Sequence, residues 1–367
     1  MKMIALIVSL LLLSSCSNPD TTGGVTLSRG ADDANEFPHG SCEGQGKNPP
    51  DSSTGCGWIY VNEQQHYIMP QSDHNPEKYA DLRGANLSGA NLQSANLLPK
   101  WVDLRGANLS GANLQAALLE GANLDNVIFR GANLSDAKLE KAYLGHVDLT
   151  GANLTGANLQ SSTLTHADLT DANLGDANLR KANLREATLR GADLGNATLR
   201  EVRAWKVNLS GADLTGADLY NADLDKANLS GANLTDAGMK NTWLKYAVLP
   251  NAILSGANLT GAMLKYADLR GARLNDVTLR GVNLWFVNLS NANLSNANLN
   301  DADFEGANLT NANLSNADLR NANLQYANLT GAILTGATLS GVKANSGVHG
   351  TQCPNGEMRG RGGDCPF

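Results

Sequence analysis

The chain has 367 residues, of which 42% are hydrophobic but only 5% aromatic, and a formal net charge of −7. So few aromatics argue against one large conventional globular core, and between residues 80 and 345 there are 22 Lys/Arg against 24 Asp/Glu, a near-neutral balance. Such a surface excludes a basic nucleic-acid binder, and the flanks hold most of the acidity.

Residues 1–15, within "MKMIALIVSLLLLSSC", place one lysine before an apolar run from Met3 to Leu13. That run is shorter than the roughly 20 residues of a spanning helix and suits the apolar core of a signal peptide. Its end, Leu13-Ser14-Ser15-Cys16, resembles the lipobox of bacterial lipoproteins. The resemblance implies an exported chain held to the membrane by a lipid on Cys16. By the same resemblance, Ser17 directs it to the outer membrane of a Gram-negative cell.

Residues 16–56 are rich in Ser, Asp, Gly, Asn and Pro and read as a flexible tether. Cys42 and Cys56 lie there, and Cys353 and Cys365 lie in the tail, 346–367. An exported protein can hold disulfides, and the local pairs Cys42–Cys56 and Cys353–Cys365 are the expected ones. The spacings do not suit zinc. Residues 57–79 open on "GWIYV" and form an N-terminal cap in this reading, with the tail as its counterpart.

From residue 80 to 345 a five-residue unit repeats. Its centres fall at Leu82, Leu87, Leu92 and Leu97 and, after two extra residues, in unbroken register from Leu104 to Leu339. Of 52 centres, 48 are leucine, the others being Phe129, Ala204, Met239 and Phe304; two residues earlier stands Ala 42 times, Val eight times, and Ser162 and Thr242 once each. A period of five fits neither the 3.6 of a helix nor the 2 of a strand. It fits a chain that turns a corner every five residues, with the small residue and the leucine pointing in. Four sides then close a coil of twenty residues. Asn or Asp before the centre and small residues after it supply the turn chemistry.

This Ala-Asn/Asp-Leu pattern resembles the pentapeptide-repeat proteins. The resemblance implies an all-β fold, a right-handed quadrilateral β-helix of about 13 coils, about 60 Å long at ~4.8 Å per coil and closed by small terminal caps. Its best-known functional branch binds DNA gyrase as an acidic DNA mimic in the cytoplasm. The signal sequence and the near-neutral array both speak against that role here.

No motif for catalysis, a cofactor or a metal is present, so the chain reads as a non-enzyme without cofactors. Folding the repeat onto four faces gives a sharper signal. The face centred on Leu104 gathers Tyr143, His146, His166, Trp205, Lys206, Lys226, Trp243, Lys245, Tyr246, Lys265, Tyr266, Trp285, Phe286 and Tyr326, and Trp101 leads onto it. His146 and His166 read as a polar ladder rather than a metal site. An aromatic row on a rod of small residues implies contact with a partner or cover by the chain's own termini. The expected function is a non-catalytic binding or scaffold lipoprotein of the cell envelope that meets an envelope protein. A carbohydrate ligand stacked on the aromatic rows is the alternative, and no nucleic acid is expected. Ice binding fails for want of a single threonine ladder.

Overall fold

The computed structural model describes residues 27–28, 57–61, 64–68, 80–98 and 102–344. Cys16, Cys42, Cys56, Cys353, Cys365 and Trp101 lie outside the described residues, so the expected lipid site and both expected disulfide pairs do too. Two compact units divide the chain, Met1–Asn173 and Leu174–Phe367. The described residues are all-β and contain no helix that is long and apolar enough to cross a membrane.

In the first unit, strands β1 (Leu27–Ser28), β2 (Gly57–Val61) and β3 (Gln64–Ile68) form an antiparallel sheet in that order, with Leu27 opposite Ile59 and Trp58 opposite Tyr67. Strands β4 (Ala80–Asp81) and β5 (Val102–Asp103) pair in parallel. The repeat then advances by single-residue parallel bridges. Asn86 pairs with Asn108 and Asn91 with Asn113, a step of 22; from Asn108↔Ile128 onward the step is 20. The two extra residues are absorbed at the first step, and within each unit every later bridge keeps the twenty-residue register.

The second unit shows how the sequence builds one side. The Leu209 N–H donates to the Asn228 carbonyl at 2.7 Å, and the Asn208 N–H donates to the Ala187 carbonyl at 2.9 Å. The chain then turns, and the Ala212 N–H closes back on the Leu209 carbonyl at 3.1 Å. Gly211, third in that turn, has φ +67°. A closed four-residue turn with positive φ at its third residue has the type II pattern, which favours Gly or Asn there. The Asn208 side-chain oxygen accepts the Ser210 N–H at 3.1 Å, so the residue before each centre braces its own corner.

Only the small residue and the centre point inward. Leu209, Ala212 and Leu214 are buried, as are Phe304 in the same unit and Phe129 in the first. Each fully buried leucine contributes roughly 1.5–3 kcal/mol. Ala204, where neighbours carry leucine, is buried as well and keeps its rung, its N–H donating to the Asp223 carbonyl at 2.8 Å. The two polar exceptions at the small position are satisfied. Ser162 Oγ donates to the Leu159 carbonyl at 2.7 Å, and Thr242 Oγ1 lies 2.8 Å from the Met239 carbonyl and 3.0 Å from that of Leu219. A buried hydroxyl with such partners costs little.

Candidate binding face

Within the described residues, the residue two after each centre sits at the third position of a turn, with φ between +54° and +75°. Among the described residues, 20 of these positions are glycine and 31 are not; 16 of the 31 are Asn or Asp, the residues that tolerate this conformation best. Tyr246, Tyr266, Phe286 and Tyr326 adopt it at φ 54–62°, and all four follow centres of one face. A bulky side chain in this region is strained by about 1–2 kcal/mol. Strain of this kind concentrates at functional positions.

In the second unit the rings form a column. Tyr246 and Tyr266 stack with centroids 5.0 Å apart and planes 15° apart, and Tyr266 and Phe286 stack at 5.3 Å and 11°. All three are exposed, and Tyr326, which has no ring partner among the described residues, is 73% exposed. Beside the column the lysines lie over rings. The Lys265 ammonium is 4.6 Å from the Trp285 ring centroid and 5.1 Å from that of Tyr266. Those of Lys206 and Lys226 are 4.3 Å and 5.6 Å from Trp205, and that of Lys245 is 5.8 Å from Trp243. These are cation–π distances. Trp285 is anchored, its Nε1–H donating to Asp303 Oδ2 at 2.5 Å.

The second unit thus brings Trp205, Lys206, Lys226, Trp243, Lys245, Tyr246, Lys265, Tyr266, Trp285 and Phe286 together by side-chain contact, in smaller groups. In the first unit, His146 and His166 stack at 4.9 Å with planes 11° apart, and Tyr143 is exposed. Parallel imidazoles do not converge on one ion, and among the described residues no cluster of three or more His, Cys, Asp or Glu could hold a metal.

Three members of the second unit's face escape sequence reasoning. Gly306 underlies Phe286, and a β-carbon there would stand 2.5 Å from the ring's Cε1. Asp303 holds Trp285. Burial pushes the Asp225 carboxyl above its ordinary range, and the nearby Asp223 adds to this, while the Lys245 N–H donated to it at 2.8 Å pulls the other way. Only the twenty-residue spacing hinted at the first, since Gly306 falls in the ring column. Elsewhere in this unit the charged groups mostly neutralise one another. Arg180 meets Glu201 at 3.1 Å, Arg270 meets Asp268 at 2.8 Å and Arg320 meets Asp318 at 2.6 Å. The Arg200 guanidinium lies 4.7 Å from the Tyr220 ring on an adjoining corner.

The family model described as Pentapeptide repeats matches eight stretches of the chain: 78–98, 100–136, 132–171, 167–203, 206–241, 239–276, 278–316 and 312–345. The chain belongs to the pentapeptide-repeat family. Among solved structures, this pentapeptide-repeat chain is similar to HetL, a pentapeptide repeat protein involved in heterocyst differentiation regulation from the cyanobacterium Nostoc sp. strain PCC 7120. The identity is 32% over 70% of this chain and 93% of that one, with a TM-score of 0.18. A pentapeptide repeat protein from the Arabidopsis thaliana thylakoid lumen is 35% identical over 25% of this chain and 68% of that one, with a TM-score of 0.17. Full-length QnrB1, a plasmid-mediated fluoroquinolone resistance protein, is 19% identical over 56% of this chain and 94% of that one, with a TM-score of 0.27. No curated protein matches the chain.

Proposed function

We propose that this pentapeptide-repeat protein is a non-catalytic binding protein of the bacterial cell envelope. It is exported, anchored by a lipid on Cys16, and contacts a protein partner through the aromatic–lysine face of its second unit. The observation that carries the reading is the column Tyr246, Tyr266 and Phe286, exposed and held at positive φ where the rest of the array prefers Gly, Asn or Asp. The buried core is made of other residues, and the stacks between neighbouring rings offset part of the strain. The right-handed quadrilateral winding, about 13 coils and the caps at 57–79 and 346–367 belong to the same proposal. The twenty-residue register, with four centres in each period, supports the winding.

The carbohydrate alternative meets a geometric obstacle. A sugar ring stacks on the face of an aromatic ring, and here the facing sides of Tyr246, Tyr266 and Phe286 are turned to one another at 5.0 and 5.3 Å. A DNA mimic needs an acidic surface, and this face carries Lys206, Lys226, Lys245 and Lys265.

Replacing Tyr246, Tyr266 and Phe286 together with asparagine tests the binding face. Asn241 and Asn251 already occupy the same turn position at φ 57° and 58°, so the fold has a place for it. Crosslinking in intact envelopes should yield a partner adduct with the parent chain and lose it with this variant. An adduct formed equally by both would exclude the face. The anchor is tested by labelling with a fatty-acid analogue: Cys16→Ala should abolish both the label and membrane fractionation.

A further inference from the structure

In the second unit the binding face is locally cationic although the chain carries −7 overall. Between residues 185 and 306 its outward positions hold Arg185, Arg203, Lys206, Lys226, Lys245 and Lys265 against Glu186, Asp223, Asp225, Asp303 and Glu305, and the cations gather between 185 and 265, where they outnumber carboxylates six to three. Lys206 reaches Glu186 at 3.8 Å. Lys226, Lys245 and Lys265 make no ion pair among the described residues, although the charges of Lys226 and Lys245 act on the Asp225 carboxyl. Their ammoniums rest on Trp205, Trp243, Tyr266 and Trp285 instead. A ring satisfies part of an ammonium's field but takes none of its charge, and each ammonium keeps three N–H donors to offer.

The ring column has the same polarity. Stacking turns the ring faces toward one another and leaves ring edges to meet a partner. An aromatic edge is the positive end of the ring quadrupole. Cations and ring edges together form a surface that attracts carboxylates and also offers apolar contact.

We propose that this face takes a carboxylate-rich segment of a protein partner, with its acidic side chains on Lys226, Lys245 and Lys265 and its apolar ones against the edges of Tyr246, Tyr266 and Phe286. This rests on the reading of the face as the binding surface and adds the chemistry of what binds. An anionic bilayer would be drawn by the same cations, so binding to lipid vesicles is one outcome of the test. An anionic glycan is a poorer match, because the stacked column withholds ring faces.

The test uses the full chain with Cys16→Ala, panned against a displayed library of random peptides. Enriched peptides should carry more Asp and Glu than Lys and Arg. A labelled selected peptide should bind about tenfold or more weakly to the variant Lys226→Gln, Lys245→Gln, Lys265→Gln, and should weaken as salt rises. Its own Glu→Gln version should lose binding. The urea midpoint of the lysine variant, expected to be unmoved, controls for folding. Enrichment of neutral or basic peptides, or none at all, overturns the proposal. So does binding to phosphatidylglycerol vesicles or alginate without binding to peptides. If the triple Asn ring variant loses peptide binding while the lysine variant and salt change nothing, the face stands as the binding surface and the acidic partner is wrong. If neither variant matters, both readings fall.

Discussion

The ring of Phe286 occupies the space that a side chain on Gly306 would enter: a β-carbon on Gly306 would stand 2.5 Å from Cε1 and 2.6 Å from Cδ1. Gly211 has nearly the same φ, +67° against +68°, but nothing within 4 Å of its own β-carbon site. The two glycines therefore separate backbone strain from ring crowding. Gly211→Ala should destabilise by about 1 kcal/mol through φ alone. Gly306→Ala should cost that and also push Phe286 off Tyr266, adding about 0.5–1.5 kcal/mol for the lost stack. Equal urea midpoints for the two variants would show that Phe286 moves aside at no cost.

Replacing Tyr246, Tyr266 and Phe286 with asparagine exchanges two effects of similar size. Each site sheds strain of about 1–2 kcal/mol, and the column loses two stacks of about 0.5–1.5 kcal/mol each. The variant should unfold within about 1 kcal/mol per site of the parent, or later, in chemical denaturation. A loss of several kcal/mol would make the column structural and remove the main reason for calling it a binding surface.

Leu214 is fully buried at a centre of the second unit. Leu214→Ala should cost about 2–5 kcal/mol, the range for a leucine truncated in a core that cannot collapse around the gap. Substituting Ser210, outward on the preceding side, with Ala should cost far less. Similar shifts in the two midpoints would contradict the inward assignment of the centres.

Arg105 holds the Asp103 carboxyl, and Arg320 the Asp318 carboxyl, below the usual carboxylate range. A carboxylate depressed in the folded state contributes stability that is fully present above its unfolded value, about 3.9. That contribution is lost as pH falls through the folded value. Stability should therefore drop below about pH 4, and a chain with Asp103→Asn and Asp318→Asn should show a shallower acid limb. An unchanged slope of denaturation midpoint against pH would show that these pairs do not act on folding.

Asp225 has the opposite sign. Its raised carboxyl costs stability once pH exceeds its unfolded value, and the cost grows until pH passes the folded one. Asp225→Asn keeps an oxygen for the Lys245 N–H and removes the buried charge. It should raise the midpoint at pH 7, with the gain vanishing as pH falls toward 3. A gain that persists at pH 3 would trace to packing rather than charge.

Much of this was legible in the sequence because each position in the unit does one job. Leu at the centre and Ala two before it are the buried pair, and residues twenty apart do pair, as Asn208 with Asn228 does. Asn before the centre has a turn former's chemistry and braces the corner, as Asn208 does. What the sequence withheld is conformational. Nothing in "LKYA" shows that Tyr246 adopts φ 59°, and a list of aromatics on one face does not distinguish rings lying flat from rings stacked on edge. That choice depends on how χ angles pack along a column, which a one-dimensional pattern does not encode. The lysines were legible as neighbours of the rings, but their resting on the rings was not.

The twenty-residue register makes residue number a phase. Within the second unit, excising twenty residues such as 211–230 would bring later columns back under the same ones, leaving Tyr246, Tyr266 and Phe286 in line with Lys206. Excising five, such as 211–215, would rotate everything downstream by a quarter turn relative to everything upstream, with the same core, corners and composition. Trp205 and Lys206 would then look out in one direction and the ring column in another. A lineage can thus lengthen or shorten such an array in whole periods without disturbing what it displays, whereas a single lost unit, invisible to stability, would scramble the pattern a partner reads.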